Sequence, residues 1–116
     1  MDKNFNQLEF DVMKKIINED PAISEILMRQ YSSAKVIKRE FTGAGFFTDF
    51  EIADEDSRIS EQFNATIGNT QARLEGLKHG AGFILFVKDG LIEMLEGYTN
   101  GNEPWPEKIG KYSLVD

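Results

Sequence analysis

Phe83-Ile84-Leu85-Phe86-Val87-Lys88, then Asp89-Gly90, then Leu91-Ile92-Glu93-Met94-Leu95-Glu96 is the stretch whose reading decides the fold. Asp-Gly between two apolar runs is the preferred pair for a two-residue type I′ hairpin, because both turn residues need left-handed dihedrals. Counting outward from that turn sets Val87 opposite Ile92, Leu85 opposite Met94 and Phe83 opposite Glu96 on one side, with Ile84 opposite Leu95 on the other. One side is then a core face that ends in a carboxylate. Gly82 falls opposite Gly97, leaving a gap that a backbone, a ring or a ligand can approach.

Upstream of the hairpin the pattern divides into helices first and strands after. Phe5, Leu8, Val12 and Ile16, widened by Met13 and Ile17, recur at spacings of three and four and predict an amphipathic helix over residues 4–19, with Asn4 and Gln7 resembling a capping box. Asp20-Pro21 ends it and starts a second helix, Asp20 as N-cap and Pro21 at the first helical position, running to about Tyr31. Ile23, Ile26, Leu27 and Tyr31 form its buried stripe, and Glu25 and Arg29 an ion pair one turn apart.

From Ala34 the period becomes two. Residues 36–41 read as a strand, Gly43-Ala44-Gly45 as a turn, and Phe46 to Ala53 as the returning strand with Phe46, Phe50 and Ile52 on one face. Residues 54–68 form a polar connection with room for a short helix around 57–64, and Thr70 to Leu77 is a third strand. After Tyr98, the segment Asn100 to Pro106 is rich in turn residues and holds the only Trp between two prolines; Tyr112 to Val115 closes the sheet. The expected fold is α+β: a single domain over residues 1–116, with two N-terminal helices packed on a twisted antiparallel sheet of five or six strands.

Composition narrows the function classes. The 116 residues carry 41% hydrophobic side chains, nine of them Phe, and no Cys, so one core can form without disulfide or zinc, and thiol chemistry is excluded. The polar N-terminus from Met1 to Gln7 and the shortness of the longest apolar run, Ala81 to Val87, lead to a cytoplasmic expectation with no membrane partner. A net charge of −7 speaks against nucleic acid, which is bound by displacing counterions with Lys and Arg; it serves plain solubility by default, or complements a protein partner of basic character.

No catalytic constellation is complete. His79 is the single imidazole, no Gly-x-Ser-x-Gly elbow occurs, and Gly43-x-Gly45 and Gly80-x-Gly82 each lead into a strand where a phosphate loop requires a helix. Six carboxylates against one guanidinium fall between residues 49 and 61, but Asp54-x-Asp56-x-Arg58 puts a cation at the third ligand position of a calcium loop, so neither metal nor cofactor is expected. Two sets of candidates follow. Asp54, Glu55 and Asp56, with Trp105 as a proline-held exposed anchor, would form a partner-binding surface, the other reading of Trp105 being a lid folded back on the sheet, the commoner place for a single Trp in a small domain. Glu96, Tyr98 and His79, near the Gly82/Gly97 gap, would form a ligand pocket, because an inward carboxylate must find a cation such as Arg73, Arg39 or Lys78, or else water.

The string from Phe86 to Thr99, continuing through Gly101-x-Glu103-x-Trp105-Pro106, resembles a segment of small uncharacterised bacterial proteins, themselves similar in size, acidity and cytoplasmic character to the immunity proteins of toxin systems. The resemblance covers about a quarter of the chain and implies no catalytic residue. It makes a toxin inhibitor acting through an acidic face the concrete form of a non-enzymatic binding module. A small-molecule binder or minor enzyme with its pocket near Glu96 is the alternative, and a homodimer through an exposed strand edge a third reading.

Overall fold

The structure, a computed structural model, describes residues 3–115. Met1 and Asp2, the start of the polar N-terminal reading, and Asp116 lie outside the described residues. Helices α1 (Lys3–Ile17) and α2 (Ser24–Ser32) precede strands β1 (Lys35–Phe41), β2 (Gly45–Glu51), β3 (Ala65–Leu74), β4 (Ala81–Lys88), β5 (Leu91–Thr99) and β6 (Tyr112–Val115). The strands form one antiparallel sheet in the order β1-β2-β5-β4-β3-β6. This is the α+β fold that the patterning predicts, with six strands and the helices packed on the sheet.

The α1 stripe buries Phe5, Leu8, Val12, Met13, Ile16 and Ile17 against Phe46 and Phe50 of β2, Phe83, Leu85 and Val87 of β4, and Leu95 of β5. Asn4, read as a capping residue, instead donates its side-chain amide to Ile109 O at 2.9 Å. Asp20 caps a turn and not a helix: its carboxylate accepts from Ala22 N at 3.0 Å, and α2 starts only at Ser24. Arg29 Nε lies 3.8 Å from Asp54, in place of the pairing with Glu25.

At the decisive hairpin the turn is as expected. Asp89 and Gly90 have φ of 52° and 79°, and Val87 pairs with Ile92. One residue further the register departs from the simple count. A bulge at Glu93 pairs Phe86 with Met94, Leu85 with Leu95, Ile84 with Glu96, Phe83 with Gly97 and Gly82 with Tyr98. The bulge allows Ile92 and Leu95, three residues apart, both to face the helices, where they are 2% and 0% exposed. It also turns Glu96 out of the core, which removes the cost of an inward carboxylate.

The turn is gripped from outside. Gln30 of α2 is fully buried, and its amide meets three backbone groups: Nε2 donates to Ser57 O and Gly90 O, both at 2.9 Å, and Oε1 accepts from Ile92 N at 2.8 Å. The connection after β2, which holds one 3-10 turn at Glu55–Ser57, wraps the same spot. Gly90 N donates to Phe63 O, Ile59 N to Gly90 O, Asp89 N to Asn64 Oδ1, and the Arg58 guanidinium to Asp89 O. A Cβ at Gly90 would lie 2.3 Å from Ser60 O, so only glycine tolerates both this approach and the dihedral.

Gln30→Leu keeps bulk and helix propensity but strands Ile92 N–H and Ser57 C=O, and leaves Gly90 O with Ile59 N as its donor. It is expected to destabilise the fold by about 2–4 kcal/mol in urea unfolding; a loss under about 1 kcal/mol would show that the turn holds without the amide.

Candidate functional site

Strand alternation gives the sheet two faces, and only one lies under the helices. On the other, cross-strand pairing aligns three rows: Gly45-Tyr98-Gly82-Gln71, then Glu40-Phe47-Glu96-Ile84, then Lys38-Asp49-Met94-Phe86-Thr66. Phe47, Ile84, Phe86 and Met94 are half-buried and stand outside the core cluster. Glu96 sits at the centre, between Phe47 and Ile84 across the strands and between Met94 and Tyr98 along its own. Its carboxylate has no hydrogen-bond or ion-pair partner among the described residues. Arg39, Arg73 and Lys78, named as its prospective partners, do not reach it.

Charge surrounds this apolar centre asymmetrically. The open face carries Asp49, opposite Lys38, on the row next to that of Glu96, with Glu51 further along β2 and Glu93 at the bulge, against Lys88. Glu93, Phe86, Met94 and Lys88 share a shallow, largely apolar cleft.

The sequence-predicted site residues are not brought together. Trp105 is 9% exposed and packs edge-on to Phe46 and Phe83 on the helix side, with ring centroids 5.1 and 6.3 Å away, while its backbone N–H donates to Gly43 O at 2.7 Å. It is a lid on the end of the core and lacks the exposure an anchor needs. Phe46 and Phe83 offer its indole more apolar contact than water does, and the prolines steer it inward. The gap expected at Gly82 and Gly97 is filled: a Cβ on Gly82 would lie 2.3 Å from the Tyr98 ring, and one on Gly97 2.2 Å from Phe46. No ligand space remains there.

His79 is exposed at the β3–β4 connection, in a cleft with Gln71, Arg73, Leu77 and Val115 that includes neither Glu96 nor Tyr98. Asp54, Glu55 and Asp56 lie at the hairpin end of the sheet. Arg29 approaches Asp54 at 3.8 Å and Arg58 approaches Glu55 at 3.1 Å, so two of these three charges are offset in place. Among the described residues no group of three or more His, Asp or Glu converges to hold a metal.

Three polar clusters that sequence reasoning passed over are structural. Glu9, 5% exposed within the α1 stripe, accepts from Arg39 Nη2 at 2.6 Å, Arg39 Nε at 3.3 Å and Thr48 Oγ1 at 2.7 Å. Arg39 also lies over the Phe5 ring. Burial, reinforced by the Glu9 charge and opposed by Arg39, pushes the nearby Tyr31 phenol up to about 12. Tyr112 is also pushed up to about 12, first by burial and then by donating its O–H to Asp11 at 2.6 Å. At the far end of the sheet Glu103 accepts from Lys78 N at 3.0 Å and His79 N at 3.1 Å, and these bonds hold its carboxyl below the ordinary range.

The open-face residues had a readable signal. In Phe83 to Val87 every position is apolar, so both faces of that strand are apolar and both ask for cover. Comparison of the chain with protein-family models, with curated proteins and with solved structures returned no match.

The raised phenols stabilise the fold fully below their ordinary value of 10.0, and that contribution is lost as pH rises toward about 12. The lowered Glu103 carboxyl acts oppositely: its contribution is present above the ordinary 4.5 and is lost as pH falls through the folded value. Urea midpoints are therefore expected to fall between pH 10 and 12, less so in Tyr31→Phe. They are also expected to fall below pH 4.5, less so in Glu103→Gln. Parallel profiles for variant and wild type would rule out the assigned group.

Proposed function

We propose that the chain is a non-enzymatic protein-binding module that receives a basic partner on the open face of its sheet, neutralisation of a bacterial toxin in the manner of an immunity protein being its concrete form. The observation that carries the reading is Glu96, an unpaired carboxylate at the centre of half-buried Phe47, Ile84, Phe86 and Met94. Interfaces of standard affinity combine a desolvated centre with a polar rim, and the centre supplies most of the energy. Here a partner that brings Arg or Lys to Glu96 and apolar side chains to its neighbours completes both at once. The surrounding Asp49, Glu51 and Glu93 and the net charge of −7 would steer such a partner in. The acidic turn at Asp54, Glu55 and Asp56 lies at the hairpin end of the sheet, where it extends the negative field. Trp105, buried on the helix side, takes no part.

The test uses the tagged protein as bait in lysate of its source, as wild type and as Glu96→Lys, Phe86→Asp and Asp56→Lys. A basic protein held by wild type, released by raised salt, kept by Asp56→Lys and lost by both open-face variants is the expected result. Glu96→Gln is expected to weaken that complex by about 2 kcal/mol, roughly thirtyfold. A partner retained by the open-face variants, or no basic protein at low salt, overturns the proposal.

A further inference from the structure

Strand β1 is a free edge of the sheet, since β2 is its one neighbour in the strand order. Edge strands present unpaired N–H and C=O groups, and natural sheets guard them by shortness, by Pro or by charge. The opposite edge, β6, has four residues; β1 has seven and no Pro. Of the five exposed large hydrophobic residues described, three lie on β1: Val36, Ile37 and Phe41, at 43%, 60% and 48% exposure. Phe41 also walls an apolar groove of about 390 Å³ with Phe5, Trp105, Pro106 and Ile109.

Which backbone groups point outward follows from the ladder. Thr42 N donates to Gly45 O at 2.9 Å, so Thr42 faces β2, and by antiparallel alternation Glu40 and Lys38 do likewise. Arg39 and Phe41 therefore turn their N–H and C=O away from the sheet. A second strand can hydrogen-bond there only in registers that bring outward-facing residues opposite one another.

We infer that the occupant of this edge is a second copy of the chain, β1 pairing antiparallel with β1 about a two-fold axis at Arg39. Of the three central registers that satisfy the hydrogen-bonding rule, one sets Lys38 on Lys38 and another Glu40 on Glu40. The register centred on Arg39 sets Lys38 of each copy opposite Glu40 of the other, twice over, in the closely spaced non-hydrogen-bonded positions. Lys38 and Glu40 lie on the same face, since they pair with Asp49 and Phe47, and both are exposed, at 64% and 59%. Ile37, the bulged residue between Val36 and Lys38, and Phe41 flank these pairs on either side and add exposed apolar surface to the seam. Arg39 comes opposite its own counterpart without penalty, because Glu9 neutralises each guanidinium at 2.6 Å. The two six-stranded sheets then join into one, with the helices of both copies on the same side.

The inference stands apart from the proposed function, because its residues are at the sheet edge and its partner is the chain itself. The test is the oligomeric state of the full chain by sedimentation across the micromolar range, for wild type, K38E, E40K, the K38E/E40K double variant and an equimolar mixture of the two single variants. Wild type is expected to dimerise with rising concentration. Each single variant, which sets like charges opposite at both positions, should weaken the dimer roughly ten- to thirtyfold. The double variant and the mixture should recover it, the mixture as a heterodimer. Far-UV circular dichroism separates a lost interface from a lost fold. A wild type that stays monomeric, a dimer that neither single variant weakens, or a mixture that fails to recover association each overturns the inference.

Discussion

One side-chain amide ties the two halves of the fold together. The helices form by local periodicity and the hairpin by turn chemistry, and neither specifies where the other docks. Gln30 does. Its three hydrogen bonds reach the 3-10 turn at Ser57, the hairpin tip at Gly90 and the first core residue after it at Ile92. A buried amide satisfied at both ends accepts few alternative placements, since any slip leaves backbone groups unpaired in an apolar setting. The apolar stripe of α2 supplies attraction, while Gln30 supplies position.

The Glu93 bulge acts on the position so fixed. With the turn held at Gly90, the strand could continue in either of two phases, placing Met94 or Leu95 under the helices. Leucine fills the site between Leu85 and Thr48, its paired neighbours, and the extra residue is absorbed where the ladder has just left the turn. That choice carries Glu96 and Met94 to the other face. The candidate site is therefore created by a core-packing decision three residues away, and not by any motif of its own.

This explains what the sequence made legible. Helix stripes, strand alternation and the Asp89-Gly90 turn are local signals, each set by dihedral preference or by a repeat along the chain, and all appear, although α2 starts at Ser24 and not at Pro21, the third strand runs over Ala65–Leu74 and not from Thr70 to Leu77, and the connection holds only the 3-10 turn at Glu55–Ser57 in place of a helix around 57–64. The regular strand count sets Glu96 on the core face, whereas the structure turns it to the other, because a bulge is decided by tertiary packing and leaves no local mark. Trp105 was open to both an inward and an outward reading, and only the position of Phe46 and Phe83 resolves it. The Glu9–Arg39 pair joins residues thirty positions apart; its one local sign is a carboxylate within the buried stripe of α1.

Leaving Phe47, Ile84, Phe86 and Met94 without a second layer has a definite energetic cost. Apolar surface exposed to water forgoes about 25 cal/mol per Å², and a two-layer fold could have replaced these side chains with polar ones at little loss to the core beneath them. The charges around them limit the consequence. Asp49, Glu51, Glu93 and Lys88 keep the apolar centre ringed and wet at its rim, so nonspecific stacking of one sheet face on another meets like charge. Glu96 at the middle extends this to the centre, since an apolar cover would have to bury its carboxylate unpaired, whereas a cover that brings a cation would not. The same residue thus disfavours indiscriminate association and favours a basic partner, which is how selectivity arises when one group repels the wrong surface and rewards the right one.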